Sequence, residues 1–231
     1  GIVNNSGGNI NIANVTKLIL SGNTLNTPVS ISGLALSTEN TIRGNRITGN
    51  FSIEHTVGTH ASINTGGNKF NGNAIFNLVG GELNTGYSGF GADTVNGNTS
   101  FTLGDEERLV ESHSFKNKYN GNLTVNRTGT GNTYLFKSGH DGISGNLNIY
   151  NSNINTYGGG AVVEINPDGV SLAAIAGTVD VNLEAIRPND LWFAMRGITN
   201  NTAGGEIKLT NATKINFVNN LLKATCTISG L

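Results

Sequence analysis

One short pattern returns along this chain at a nearly fixed step, and it limits the fold more than any other feature. The stretch GGNKFNGNAIF, from Gly66 to Phe76, has a simple grammar. An Asn comes first, then an apolar residue, then the turn Asn71-Gly72-Asn73, then Ala74 and Phe76 two apart. The grammar returns from Asn45 to Ile53 (NRITGNFSI) and from Asp93 to Phe101 (DTVNGNTSF). It returns again from Asn117 to Val125 (NKYNGNLTV) and from Asp141 to Ile149 (DGISGNLNI). The turn glycines Gly49, Gly72, Gly97, Gly121 and Gly145 are separated by 23, 25, 24 and 24 residues. One turn and period-2 strands in each step predict an all-β fold: a right-handed parallel β-helix, or β-solenoid, with coils of about 24 residues.

Weaker copies begin at Gly8, Thr27, Gly177 and Gly205. The second and fourth residues after each marker are apolar, except Thr99. The residue between them is mostly small or polar: Asn11, Ser30, Ser52, Ser100, Thr124, Asn148. That alternation predicts a strand with one buried and one wet face. Ile53, Phe76, Phe101, Val125 and Ile149 are therefore expected to stack inside. Each coil also holds a second extended piece, such as Ala61 to Ile63, Glu107 to Val110, Thr133 to Phe136 and Ala161 to Ile165. Ala173 to Gly177 has slight helical flavour, and no segment sustains helical periodicity. The step lengthens to 32 after Gly145 and 28 after Gly177, so the added residues are expected to bulge or form another element, with a turn at Pro188-Asn-Asp190.

A longer period lies over the short one. Residues Gly7 to Leu34 and Gly204 to Leu231 align over 28 positions without a gap, 12 of them identical, at an offset of 204 − 7 = 197. Residues 1–203 then read as one tandem unit of the solenoid, a super-repeat of about 197 residues, and 204–231 as the start of the next. The chain opens on Gly1-Ile-Val-Asn without an export signal, which suggests the interior of a longer protein. Cys226 aligns with Val29 and is expected to be a small buried hydrophobe.

Composition removes several classes. The net charge of −1 gives no electrostatic case for nucleic acid. No apolar run is long enough to span a bilayer, so no membrane insertion of this segment is expected. One cysteine cannot form an intramolecular disulfide framework. Polarity is carried by Asn, Thr, Ser and Gly, with only 13% charged residues, which suits turns and strand faces.

Two columns follow from the register. Asn23, Asn45, Asn68, Asp93, Asn117 and Asp141 each stand four residues before the marker. Asn50, Asn73, Asn98, Asn122 and Asn146 each follow it. An amide both donates and accepts, so stacked Asn can bond along the array as the backbone does. A structural ladder is the expectation for both columns. Calcium would want more carboxylates than the first column offers, so no metal or other cofactor is expected.

Catalysis by paired carboxylates needs two acids in one column of adjacent coils. The outward columns hold none, so no catalytic residues are assigned. The densest acidic spot, Asp105 to Glu111 with His113 nearby, reads as a solvated turn and strand. His140-Asp141 and Glu54-His55 are sequence neighbours on opposite strand faces or at turns, not dyads. Trp192 is a glycan-stacking residue if exposed, although a locally thickened core around Trp192-Phe193 is preferred. Ice binding would need a flat Thr array, and the outward columns are mixed.

With the coils laid out, GGNKFNGNAIF, KNKYNGNLTVNRTGTGNTYLF, HDGISGNLNIYNS and the matching 28-residue ends make the chain resemble the giant secreted surface proteins of the Bacteroidota that carry β-strand repeats. The resemblance is weakest between Asn166 and Ala203. It implies export to the cell surface, with similar proteins acting as filamentous adhesins in gliding. The expected partners are neighbouring repeats of the same chain and surface glycans. The expected role is a non-catalytic structural repeat of an extended adhesin or filament; the alternative is a polysaccharide-binding or polysaccharide-cleaving β-helix.

Overall fold

The computed structural model describes residues 1, 3–4, 7–33, 39–55, 62–104, 107–129, 131–138, 140–151, 162–168, 173–183, 192–200, 205–212 and 214–230. For residues 107, 140, 141, 151, 162, 173, 174, 192, 198–200 and 214 it describes the backbone alone.

The described chain is a parallel β-solenoid without a helix. Three sheets, of 10, 10 and 9 strands, run the length of the stack, and every strand pairs with its counterparts in the coils before and after. The first sheet is made of short strands such as Arg46–Ile47 and Lys69–Phe70, the second of longer ones such as Phe51–His55 and Ala74–Leu78. The third sheet contains Ser62–Gly66, Gly81–Asn84 and Glu107–Val110. Ala173–Ile175 is a strand of the first sheet, through Ile143↔Ile175 and Ala173↔Ile198, so its apparent helical flavour is overridden by stacking.

The second sheet keeps an unbroken register. Phe51, Ala74, Thr99, Leu123 and Leu147 pair in turn, and two residues on so do Ile53, Phe76, Phe101, Val125 and Ile149. Both columns are buried. The residues between them, Ser52, Ile75, Ser100 and Thr124, pair in their own outward column. Phe76 stacks on Phe101 with ring centroids 5.1 Å apart, and Phe51 lies 5.0 Å from Phe70 of the first sheet. These contacts fill the interior from two sides.

The glycine of the repeated turn is required for a reason other than turn geometry. None of Gly49, Gly72, Gly97, Gly121, Gly145 and Gly177 has a left-handed backbone. A Cβ on Gly97 would instead lie 2.6 Å from the carbonyl carbon of Gly72, and one on Gly121 2.5 Å from the carbonyl oxygen of Gly97. Successive coils touch backbone to backbone at this corner, and only glycine permits it.

Two expectations need correction or placement. Cys226 does stand in the inward column, paired with Ile207, but it is exposed. Its strand, Cys226–Ser229, is the edge of the second sheet among the described residues, so no coil covers its inner side. Most of the residues added in the two long coils, 152–161 and 184–191 with the Pro188 turn, lie outside the described residues.

Phe76→Ala is expected to lower the unfolding midpoint strongly, since truncating a buried aromatic costs about 3–5 kcal/mol. Ser52→Ala and Ser100→Ala should change it little. Chemical denaturation of the three variants decides; serine variants as harmful as Phe76→Ala would reverse inside and outside.

Candidate functional site

The first Asn column forms a continuous buried chain of hydrogen bonds. The backbone N–H and Nδ2 of Asn23 both donate to Oδ1 of Asn45, at 3.0 and 2.9 Å. Asn45 donates in the same way to Asn68, and Asn68 to Oδ1 of Asp93. The Asp93 N–H continues to Oδ1 of Asn117 at 2.7 Å. Each amide has a second anchor: Asn45 Nδ2 donates to the carbonyl of Leu20, and Asn68 Nδ2 to that of Ile42. The backbone of Asp141 lies in the strand His140–Ile143, and its side chain lies outside the described residues.

The second column runs along the neighbouring corner in the opposite sense. The N–H of Asn73 donates to Oδ1 of Asn50, Asn98 to Asn73, Asn122 to Asn98, and Asn146 to Asn122, all near 3.0 Å. This column faces solvent. A third amide row accompanies it: Asn96 Nδ2 donates to Asn71, and Asn120 Nδ2 to Asn96. Among the described residues the left-handed asparagines are Asn14, Asn166, Asn211 and Asn219, none of them in either ladder, so hydrogen bonding and not turn conformation explains the ladder asparagines.

Asp93 substitutes for Asn with a consequence. Its Oδ1 receives Asn68 as an amide oxygen would, but where an amide carries NH2 it has a second oxygen, Oδ2, which accepts when ionised. Thr65 Oγ1 donates to that oxygen at 2.6 Å, and the N–H of Gly86 points to it at 3.4 Å. A second buried acid lies nearby. Glu111 follows Val110, whose partners are Asn84 and Tyr134, so it falls in an inward line of the third sheet. Its Oε1 accepts from Ser112 Oγ, Asn117 Nδ2 and Tyr119 Oη at 2.6, 2.9 and 2.8 Å, and its Oε2 accepts from the N–H of Phe136 at 2.8 Å. Asn117 thus links the Glu111 carboxylate to the backbone of Asp93.

The expected solvated acidic spot is corrected at this point. Glu111 is fully buried, Asp105 and Glu106 lie outside the described residues, and the side chain of Glu107 does too. Burial raises the pKa of both Asp93 and Glu111, and their donors only partly offset it. Ser112, Tyr119 and Thr65 hydroxyls can turn round to accept, so each network serves the protonated acid as well as the ionised one. Burial, then the Glu111 carboxylate, raises the Tyr119 phenol well above its ordinary value. Closed off in this way, neither acid can touch an external substrate.

The elements above these acids break the regularity of the coil. The corner between the third and first sheets holds two residues after Ser62–Gly66, namely 67 and 68, but nine after Gly81–Asn84, 85–93. This loop carries Tyr87 and Phe90. Tyr87 lies 5.5 Å from the Phe90 ring and 5.0 Å from the His113 ring, while Arg43 stands 5.2 Å over Phe90. Burial, then Lys137, lowers the pKa of His113. Phe115 beside it is 40% exposed. The repeat grammar missed this cluster because it falls between markers; the Gly-rich run GYSGFG with two aromatics was its available signal.

The other singled-out residues are not brought together. Trp192 has its backbone in the strand Trp192–Arg196, paired with Val162 and Lys214, and its side chain lies outside the described residues. Phe193 is buried and meets Phe217 edge-on at 6.2 Å. Glu54 is exposed and His55 buried, on opposite faces of one strand. Among the described residues no three His, Cys, Asp or Glu side chains converge as a metal site, and no helix is long and apolar enough to cross a membrane. Comparison with known proteins found no matching family model, no similar curated protein and no similar solved structure.

Two outcomes follow. Asn68→Ala leaves buried donors and acceptors unmatched on both neighbouring coils and should cost on the order of 3 kcal/mol, whereas Asn98→Ala, replaceable by water, should cost under about 1 kcal/mol. Equal losses on denaturation would mean that burial does not distinguish the two ladders. The second outcome concerns pH. A raised folded pKa means that the folded state holds the proton more tightly, so the Glu111 contribution is full below the unfolded value of 4.5 and is lost as pH rises through the folded one. The unfolding midpoint should therefore fall more steeply between acid and neutral pH in the wild type than in Glu111→Gln, whatever the variant costs at acid pH. Parallel profiles would overturn this.

Proposed function

We propose that this chain is a structural repeat of an extended cell-surface adhesin or filament, exported and non-catalytic, built like the giant Bacteroidota surface proteins that its repeats resemble. One observation carries the reading. The local structure at the beginning of the 197-residue period returns at its end. Asn14 and Asn211 are both left-handed, as are Gly33 and Gly230. Asn14 N–H donates to Ser32 and Asn211 N–H to Ser229, at 3.1 and 3.0 Å. Asn220, the counterpart of Asn23, donates to the carbonyl of Met195 as Asn45 does to that of Leu20.

The opening of a second unit thus stacks on the close of the first with the same bonds: Ile207–Thr210 pairs with Val179–Leu183, then Cys226–Ser229 with Ile207–Thr210. A tandem array would extend as one stiff rod without a joint. Eight coil steps separate Ile10 from Ile207 in the second sheet, so one unit should add roughly 38 Å at about 4.8 Å per step. Electron microscopy of proteins carrying one, two and three consecutive units should show rods lengthening by that increment. Beads joined by flexible hinges, or compact globules, would defeat the proposal.

The half-buried rings of Tyr87 and Phe90 beside the exposed Phe115 favour a second reading, a polysaccharide-binding β-helix. Cleavage has weaker support, because the buried acids beneath those rings are sealed from substrate.

A further inference from the structure

We propose that the corner between the third and first sheets, from Arg43 to Lys137, is a docking strip for an anionic polysaccharide. This names the ligand class of the adhesin reading and rests on it.

The strip is built and not incidental. The loop that carries Tyr87 and Phe90 is seated on the coil below. Tyr87 N–H donates to the Thr65 carbonyl at 2.8 Å, and Gly67 N–H to the Gly91 carbonyl at 3.0 Å. A Cβ on Gly66 would lie 2.6 Å from Cβ of Phe90, so the Gly66-Gly67 pair makes the seat. From the coil above, the N–H groups of Ser114 and Phe115 both donate to the Gly86 carbonyl, at 2.9 and 3.0 Å. Asp93 anchors the base of the loop through Gly86 N–H. The rings are therefore held in place before any ligand arrives, which lowers the entropic cost of binding.

The occupant is argued from charge and shape. Arg43 stands over Phe90, Lys137 and Arg108 act electrostatically on His113, and Lys116 follows Phe115; among the described side chains there the half-buried Glu82 pairs with Arg108 at 2.8 Å. Among the described side chains that face solvent there, cations thus outnumber carboxylates, on a chain of net charge −1. Ring faces are electron-rich and attract the polarised C–H faces of a pyranose. The cations would pair with its carboxylates. Only Phe115 of the three rings is exposed, and the exposed Ser88, Gly89 and Ser114 lie among them, so the rings present no broad apolar patch of the kind a protein interface needs. Four coil steps, from Arg43 to Lys137, span roughly 19 Å along the axis, enough for several sugars in a row.

Calorimetric titration of the 231-residue chain tests this with two probes, an oligogalacturonate and a dextran oligomer of equal length. Oligogalacturonate should bind saturably at low salt and weaken about tenfold at high salt, as screening predicts; dextran should bind far less. Phe115→Ala and Lys116→Glu, both on exposed side chains, should each weaken it by about tenfold with unchanged circular dichroism. Lys208→Glu, on the second sheet, should leave it unchanged. No heat with oligogalacturonate, equal binding of dextran, or corner variants behaving like Lys208→Glu would each overturn the proposal. Rods that lengthen with added units yet bind neither probe would remove the docking strip and leave the rod standing.

Discussion

Backbone contact at one corner sets the geometry of everything else. Between the first and second sheets the connection is three residues long in coil after coil: 48–50, 71–73, 96–98, 120–122 and 144–146. The middle residue is glycine each time, and the coil below lies so close to it that any Cβ would collide. This contact fixes where each coil starts relative to the last. The second-sheet register, the inward columns and the placing of Asn Oδ1 under the next N–H all follow from that fixed start.

The two ladders then hold the coils in opposite senses. In the buried ladder the coil nearer the N-terminus donates; in the exposed ladder the coil nearer the C-terminus donates. Each middle coil is therefore donor and acceptor to both neighbours, on two adjacent corners. The buried ladder supplies the larger share of stability, because its amides have no water to fall back on. Asp93 breaks the series at the residue that closes the extra loop, and the oxygen that replaces the amide NH2 is the one that meets Thr65 and Gly86. The exception in the ladder and the exception in the coil are thus one feature.

The second sheet was legible because period 2 and a marker glycine fix it independently. Phe76 and Phe101 had to share a face once their distances from Gly72 and Gly97 were equal. Glu111 was not legible. Its orientation depends on the left-handed Ser112 after it, in line with Gly86 and remote from any marker. A run of acids reads as surface when its corner is unknown, yet the backbone turns Glu111 inward against Ser112, Asn117 and Tyr119. For Cys226 the column was right and the exposure was not, since a column says which way a side chain points and nothing about whether a further coil covers it.

Between Gly49 and Gly145 coil length varies less than its parts. The step from Ala74 to Thr99 is 25 residues and that from Phe51 to Ala74 is 23, although the third-to-first corner grows from two residues, 67–68, to nine, 85–93. Four of the seven added residues are recovered at another corner. The second-to-third connection holds six residues, 56–61, in the earlier coil and two, 79–80, in the next. A stack whose middle coils share one close glycine corner tolerates such exchange, because each coil answers only to its neighbours. In those middle coils the close contact leaves no room at the glycine corner, so their variation gathers elsewhere. The third-to-first corner is where this chain places its aromatics and cations, and the fold leaves it free to do so without disturbing the rod.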